Sequence, residues 1–275
     1  MRAVQVVSIV GFPHSGSTLL GDVLASAPGV VHAGELAMLF RLWARGVDVC
    51  SCGARNDACS VWGPAVQDAL ARHDTTIDVV ATALVDPPAP WLVPLVRDVT
   101  AAAGAGTVID SSNWPWFGRL LGDAFDDVAY VHLVRDPRAA VHSRLRKGRT
   151  RKLAGRSAAR QLVSIARDAR RWVAWNADAA SLAARAPLST VRYEDLVADP
   201  APTLARVTSE LGLPAPAVDG RRVERARQHV VWGNRRARAG AVELVLDDAW
   251  RRDASPVERA VVSALTVTGR RRHRY

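Results

Sequence analysis

The chain opens on an almost unbroken apolar run, Val4 to Val10, rich in β-branched residues. Such a run predicts a strand buried on both faces, the habit of a parallel sheet. Gly11 to Thr18 follows as a Gly- and Ser-bearing loop, and Leu19 to Ala27 predicts a helix stopped by Pro28-Gly29. Val30 to Ala33 predicts a second strand and Glu35 to Arg45 a helix. A further helix is predicted over Trp62 to Arg72, and residues 74–105 read as helical or irregular, broken by Pro87-Pro88-Ala89-Pro90. Thr107 to Asp110 and the strongly apolar Val128 to Val134 predict the third and fourth strands. Pro137 opens a helix at a position where a missing N–H does no harm. Residues 157–186 carry a long helical pattern, Leu188 to Tyr193 predicts a fifth strand, and Pro200 to Leu211 a helix. The last third turns loop-rich around Trp232-Gly233-Asn234 before a helix over Pro256 to Val267 and a basic tail. Strands alternating with helices predict an α/β fold of three layers, a parallel sheet flanked by helices. No repeat or long linker divides residues 1–275, so a single domain is expected.

Composition narrows the class. The chain has 275 residues, 49% apolar and 23% charged, which excludes disorder, collagen and a disulfide scaffold. No apolar run approaches the roughly 18–20 residues of a membrane span, and the N-terminus lacks a signal-peptide pattern. A cytoplasmic protein without an integral membrane segment is therefore expected. The net charge is +10, yet only two of the 37 basic residues are Lys, Lys147 and Lys152. An Arg-, Ala- and Val-heavy composition also follows from a GC-rich genome, so the position of each Arg matters more than the sum.

The three cysteines, Cys50, Cys52 and Cys59, share one stretch. A local structural loop with a redox-sensitive pair is the expected reading. Zinc would need a fourth ligand, from His32 or His73.

Gly11-Phe12-Pro13-His14-Ser15-Gly16-Ser17-Thr18 lies between a buried strand and a helix start, where free N–H groups and the helix dipole favour an anion. Gly11 and Gly16 have the spacing of a nucleotide-binding P-loop, but Ser17 stands where that loop has Lys. The loop suits a phosphate-like group without the Mg·ATP apparatus of a kinase. Farther along, an apolar strand delivers Arg135 to its carboxyl end, Pro137 opens the next helix, and Ser143 lies two turns along it.

Together these stretches resemble sulfotransferases that use 3′-phosphoadenosine 5′-phosphosulfate (PAPS), a family with a P-loop NTPase-like fold. The resemblance implies that Pro13, His14, Ser15, Gly16, Ser17 and Thr18 bind the 5′-phosphosulfate, with His14 where the family usually has Lys or Arg. It assigns the 3′-phosphate to Arg135 and Ser143, and a planar guanidinium fork suits phosphate oxygens. Arg192-Tyr193-Glu194-Asp195-Leu196 is similar to a segment whose Tyr, here Tyr193, lies near the adenosine. The stretch from His229 to Asn234, with Arg235, Arg236 and Arg238, resembles a late loop that closes over the 3′-phosphate. Asp110-Ser111-Ser112-Asn113 resembles an Asp-Ser-Ser-Lys segment, with Ser112 a candidate partner of the transferring group or of the phosphate oxygens and Asn113 in place of the Lys.

Gly34-Glu35 resembles the Gly-Glu of tyrosylprotein and bacterial sulfotransferases and makes Glu35 the candidate base, worth roughly 10²–10⁴-fold. Glu35 also sits where a carboxylate caps a helix. His32 and His132 are weaker alternatives with a structural reading. Trp114 and Trp116 read as packing residues or as a platform for the acceptor. The resemblance thus implies an enzyme transferring a sulfuryl group from PAPS to a hydroxyl of a small molecule, glycan or lipid, with no metal required and no nucleic-acid partner. A P-loop kinase predicts the missing loop Lys and Mg²⁺. A basic nucleic-acid module predicts aromatics interleaved with Arg, which the basic stretch 144–156 lacks, so that this stretch reads as a lid.

Overall fold

The computed structural model of the chain describes residues 4–104, 106–148, 157–225, 228–233 and 240–275. Five parallel strands form the main sheet: β1 (Gln5–Val10), β2 (Val30–Gly34), β3 (Thr107–Asn113), β4 (Val128–Val134) and β5 (Leu188–Arg192), in the order β2-β3-β1-β4-β5. β1 is central, as its continuous apolar run requires. Val6 and Val7 face opposite layers, and both are fully buried.

The helices are α1 (Ser17–Leu24), α2 (Leu36–Trp43), α3 (Trp62–Arg72), α4 (Ile77–Ala83), α5 (Leu92–Ala101), α6 (Pro115–Ala124), α7 (Pro137–Gly148), α8 (Ala158–Ser181), α9 (Tyr193–Ala198), α10 (Pro200–Leu211), α11 (Trp250–Asp253), α12 (Pro256–Leu265) and α13 (Val267–Arg272). Residues of α2, α3, α5 and α6 share one core with Val6 and Val108, while those of α1, α9 and α10 share the other with Val7, Ile9 and Val131. A third apolar cluster joins Phe12 and Val134 to α7, α8 and α12. On α8 the buried residues Ile165, Ala169, Trp172, Asn176 and Ala179 recur at helical spacing, which is why one face of this long helix seats against the sheet end.

Three differences from the pattern-based reading stand out. β3 runs through Asn113 instead of stopping at Asp110. Tyr193 begins α9 instead of ending β5. A small antiparallel sheet, β6 (Val218–Asp219), β7 (Arg222–Arg225) and β8 (Gly240–Glu243), lies in the stretch read as loop. Its strands are short and mostly exposed, so they carry almost no hydrophobic alternation. Among the described residues no helix is long and apolar enough to cross a membrane.

The parallel register slips near the carboxyl ends of two strand pairs, between Ser8 and Val10 of β1 and between His32 and Gly34 of β2. Such irregularities re-aim the residues beyond them. They lie at the edge where ligands bind in open α/β sheets.

Candidate functional site

β1 feeds the loop into α1, whose first-turn N–H groups have no acceptors within the helix. Gly16 precedes α1 in the left-handed conformation, φ 99°, and the Tyr193 ring packs directly against it. The Ser15 hydroxyl donates to the Phe12 carbonyl at 2.6 Å and closes the loop on itself.

Arg135, one residue past β4, is deeply buried beside this loop. Its Nη1 donates to the His14 carbonyl at 3.0 Å, and its Nη2 donates to the Asp247 carbonyl at 2.5 Å and lies 3.2 Å from Asp247 Oδ2. The guanidinium stacks over the Tyr193 ring, 4.5 Å from its centroid. Its buried Nε has no hydrogen-bond partner among the described residues. Burial alone would raise the Asp247 carboxyl, but Arg135 outweighs it and holds the group below its ordinary value. Ser143, on α7, has its hydroxyl 3.5 Å from His14 Nδ1. The fold therefore gathers His14, Gly16, Arg135, Ser143 and Tyr193 around one mouth, although the two motifs lie 121 positions apart. Sequence reasoning missed the indoles of α8: Trp172 Nε1 donates to the Arg135 carbonyl at 3.1 Å and Trp175 Nε1 to the Asn113 carbonyl at 2.9 Å. Only their helical spacing was visible.

Glu35 stands between β2 and α2. Its side chain makes no capping bond to α2. The cap comes from β3 instead: the Leu36 N–H donates to Asp110 Oδ1 at 3.3 Å and the Ala37 N–H to the Ser112 hydroxyl at 3.0 Å. Ser112 in turn donates to Asp110 at 2.5 Å, and Ser8 does so at 2.9 Å. Burial pushes Asp110 up to about 6 against these donors. The Ser112 hydroxyl is thus engaged within the protein on both its donor and acceptor sides.

The histidines set aside for structure behave accordingly. His32 is fully buried, with Nδ1 2.8 Å from Asp22 and Nε2 2.9 Å from the Ser111 hydroxyl. His132 Nε2 is 2.9 Å from Asn176 Oδ1, and burial pushes His132 down to about 4, leaving it neutral near pH 7. Asn113 takes the left-handed conformation, φ 67°, which Asn tolerates better than most side chains, and its carbonyl accepts the Gly11 N–H at 3.1 Å. Trp116 is buried and Trp114 half-buried; Arg41 of α2 stacks over them at 4.9 Å from Trp114 and 5.8 Å from Trp116.

A late segment closes the site from the side. The Val231 N–H donates to the Ala33 carbonyl and the Glu35 N–H to the Val231 carbonyl, both at 2.8 Å. Gly34, at φ 86°, admits this approach, since a Cβ there would overlap the Val231 backbone. Gly233 follows, close to both the Thr18 hydroxyl and Glu35 Oε1. Asn234, Arg235, Arg236 and Arg238 lie outside the described residues, as do Arg149, Arg151, Lys152 and Arg156 of the basic stretch.

The same segment corrects one expectation. The ligand atoms of Cys50, Cys52, Cys59 and His229 all lie within 4.8 Å of one another. This tetrad overturns the expectation of a chain without a metal requirement. The fourth partner is neither His32 nor His73, which pair with Asp22 and Asp98. It is His229, brought from 170 residues away by the late segment.

Comparison with known proteins identifies the family. The model of the sulfotransferase family matches residues 7–217. Among solved structures, the sulfotransferase domain of the Synechococcus PCC 7002 olefin synthase is 22% identical, covering 97% of this chain and 96% of that one, with a TM-score of 0.51. The sulfotransferase domain from the curacin biosynthetic pathway is 17% identical over 97% of this chain and 99% of its own, with a TM-score of 0.49. No curated protein matches the chain.

Proposed function

The chain belongs to the sulfotransferase family, and from that premise we propose how its residues share the reaction. The enzyme moves a sulfuryl group from PAPS to a hydroxyl acceptor and releases adenosine 3′,5′-bisphosphate. In our reading the Pro13–Thr18 loop and the first turn of α1 hold the 5′-phosphosulfate. Arg135 and Ser143 hold the 3′-phosphate, and Tyr193 supports Arg135 near the adenosine. Asn234, Arg236 and Arg238 complete the clamp. The observation that carries this reading is the convergence of Arg135 and Ser143 on His14 at the mouth of the loop.

Glu35 acts as the base. As the acceptor oxygen attacks sulfur, Glu35 takes its proton, and the bond between sulfur and the bridging phosphate oxygen breaks. The leaving phosphate keeps the electron pair, and its charge is met by the α1 N–H groups and His14. The α2 cap is supplied by Asp110 and Ser112, so capping does not account for a carboxylate at Glu35. Ser112 then positions the helix that follows the base instead of touching the transferring group. The acceptor, a small molecule, glycan or lipid, approaches along the wall of α2 and Trp114. The three thiols form no disulfide, which suits a reducing cytoplasm.

Mass spectrometry of an acceptor library incubated with PAPS tests the proposal. One acceptor class should gain the sulfuryl mass with matching release of adenosine 3′,5′-bisphosphate. Bisphosphate release without any sulfated product across hydroxyl acceptors would overturn the assignment of a hydroxyl acceptor.

A further inference from the structure

We propose that Cys50, Cys52, Cys59 and His229 bind one structural zinc ion, which clasps the late segment to the end of β2. Cys59 Sγ lies 3.3 Å and Cys50 Sγ 3.5 Å from His229 Nδ1. A tetrahedral zinc with sulfur ligands at about 2.3 Å and nitrogen at about 2.0–2.1 Å sets sulfur and nitrogen roughly 3.5 Å apart, so the cluster needs little rearrangement. Three thiolates and an imidazole are a soft donor set that favours zinc over magnesium or calcium. Four protein ligands fill the coordination shell and leave no open position, which makes the site structural and not catalytic.

The surroundings are those of thiolate ligands. The Cys52 N–H donates to Cys50 Sγ and the Trp62 N–H to Cys59 Sγ, each at 3.5 Å. The indole N–H of Trp62 donates to the His229 carbonyl at 2.6 Å and fixes the backbone that carries the imidazole. Cys50 and Cys59 are buried, whereas Cys52 is exposed and gives the ion an entry side.

The consequence lies in what the ligands are attached to. Ser51, between two of them, accepts the Val230 N–H at 3.0 Å and donates to the Gln228 carbonyl at 2.7 Å. The Trp232 N–H donates to the Val49 carbonyl at 2.8 Å. Val231, two residues past His229, then pairs with Ala33 and Glu35. Zinc binding, with release of the thiol protons, therefore ties the cysteine loop and the late segment together against the strand end that carries Glu35. Only the description of Glu35 as a base rests on the functional reading above; the site and the clasp do not.

Elemental analysis of the full chain, purified under reduction without chelator, should find about one zinc per chain. Cys52→Ser should lose most of it, with His229→Gln as the second variant if the first does not fold. Cobalt exchanged into the wild type should show the intense visible bands of a tetrahedral thiolate site. After zinc is stripped, hydrogen exchange should quicken at least about tenfold over 33–36 and 228–233, while β1 and β4 stay protected. A reduced, metal-free wild type, or a disulfide within the trio in the reduced preparation, would overturn the site. Zinc loss without faster exchange in these segments would overturn the clasp. Neither readout uses sulfuryl transfer, so failure of the enzymatic assignment leaves this test intact.

Discussion

Arg135 is held from four sides: the His14 carbonyl, Asp247, the Tyr193 ring beneath it and the Trp172 indole on its own carbonyl. A guanidinium so restrained loses little freedom when it grips a phosphate. Arg135→Ala should weaken adenosine 3′,5′-bisphosphate about 10- to 100-fold, in line with charged hydrogen bonds of about 1.5–3 kcal/mol. Adenosine 5′-phosphate should lose far less affinity; calorimetry with both ligands separates the outcomes, and equal losses would remove Arg135 from the 3′-phosphate. Glu35→Gln should lower kcat about 10²- to 10⁴-fold with bisphosphate affinity nearly intact. Turnover close to wild type would return Glu35 to a purely local role at the start of α2.

At the scale of elements, the site depends on how the ends of β2 and β3 meet α2 and the late segment. Gly34→Ala places a Cβ against the Val231 backbone at a positive φ. The expected cost is about 2–4 kcal/mol, roughly a 3–7 °C fall in Tm; a Tm within about 1 °C of wild type would show that the late segment does not pack there. Asp110 supplies a pH dependence. Its folded pKa of about 6 lies above the ordinary 3.8, so the native state binds this proton more tightly than the unfolded chain does. The stability it contributes is complete below about 3.8 and is lost as pH rises through about 6. Relative to Asp110→Asn, the wild type should therefore gain stability in urea as pH falls from 7.5 to 5, and the opposite trend would refute the raised pKa.

What was legible in the sequence at this scale was whatever a short stretch contains. The β1 loop and the β4–Pro137 junction each place strand, ligand group and helix start within a dozen residues, and both appear where their patterns put them. The tetrad was not legible, because the partner of Cys59 lies 170 residues away and only the folded topology brings it near. The only hint was a zinc-like cysteine trio lacking a fourth ligand. The place of Ser112 in the α2 cap was not legible for a related reason: a resemblance names the residue, but the hydrogen bonds of its hydroxyl come from the approach of α2, a tertiary event. The small sheet of β6, β7 and β8 was invisible because exposed short strands need no apolar rhythm.

Over the whole molecule, the excess of Arg divides into two kinds. Arg55, Arg185, Arg206, Arg222 and Arg252 form exposed, solvent-screened pairs with nearby carboxylates and say little about ligands. Arg135 is buried at the mouth of the loop, where Asp247 offsets the cost of its charge and its Nε is left without a hydrogen-bond partner among the described residues. The near absence of Lys extends to His14 and Asn113, where the sequence resemblance leads one to expect cations. In the proposed reading, charge recognition falls to Arg135 and the α1 N-terminus. A pocket built this way distinguishes ligands by the 3′-phosphate and not by a triphosphate with Mg²⁺. Calorimetry on the intact chain tests that directly. Adenosine 3′,5′-bisphosphate should bind about 100-fold or more tightly than ATP, with or without Mg²⁺. Equal affinity for the two would contradict it.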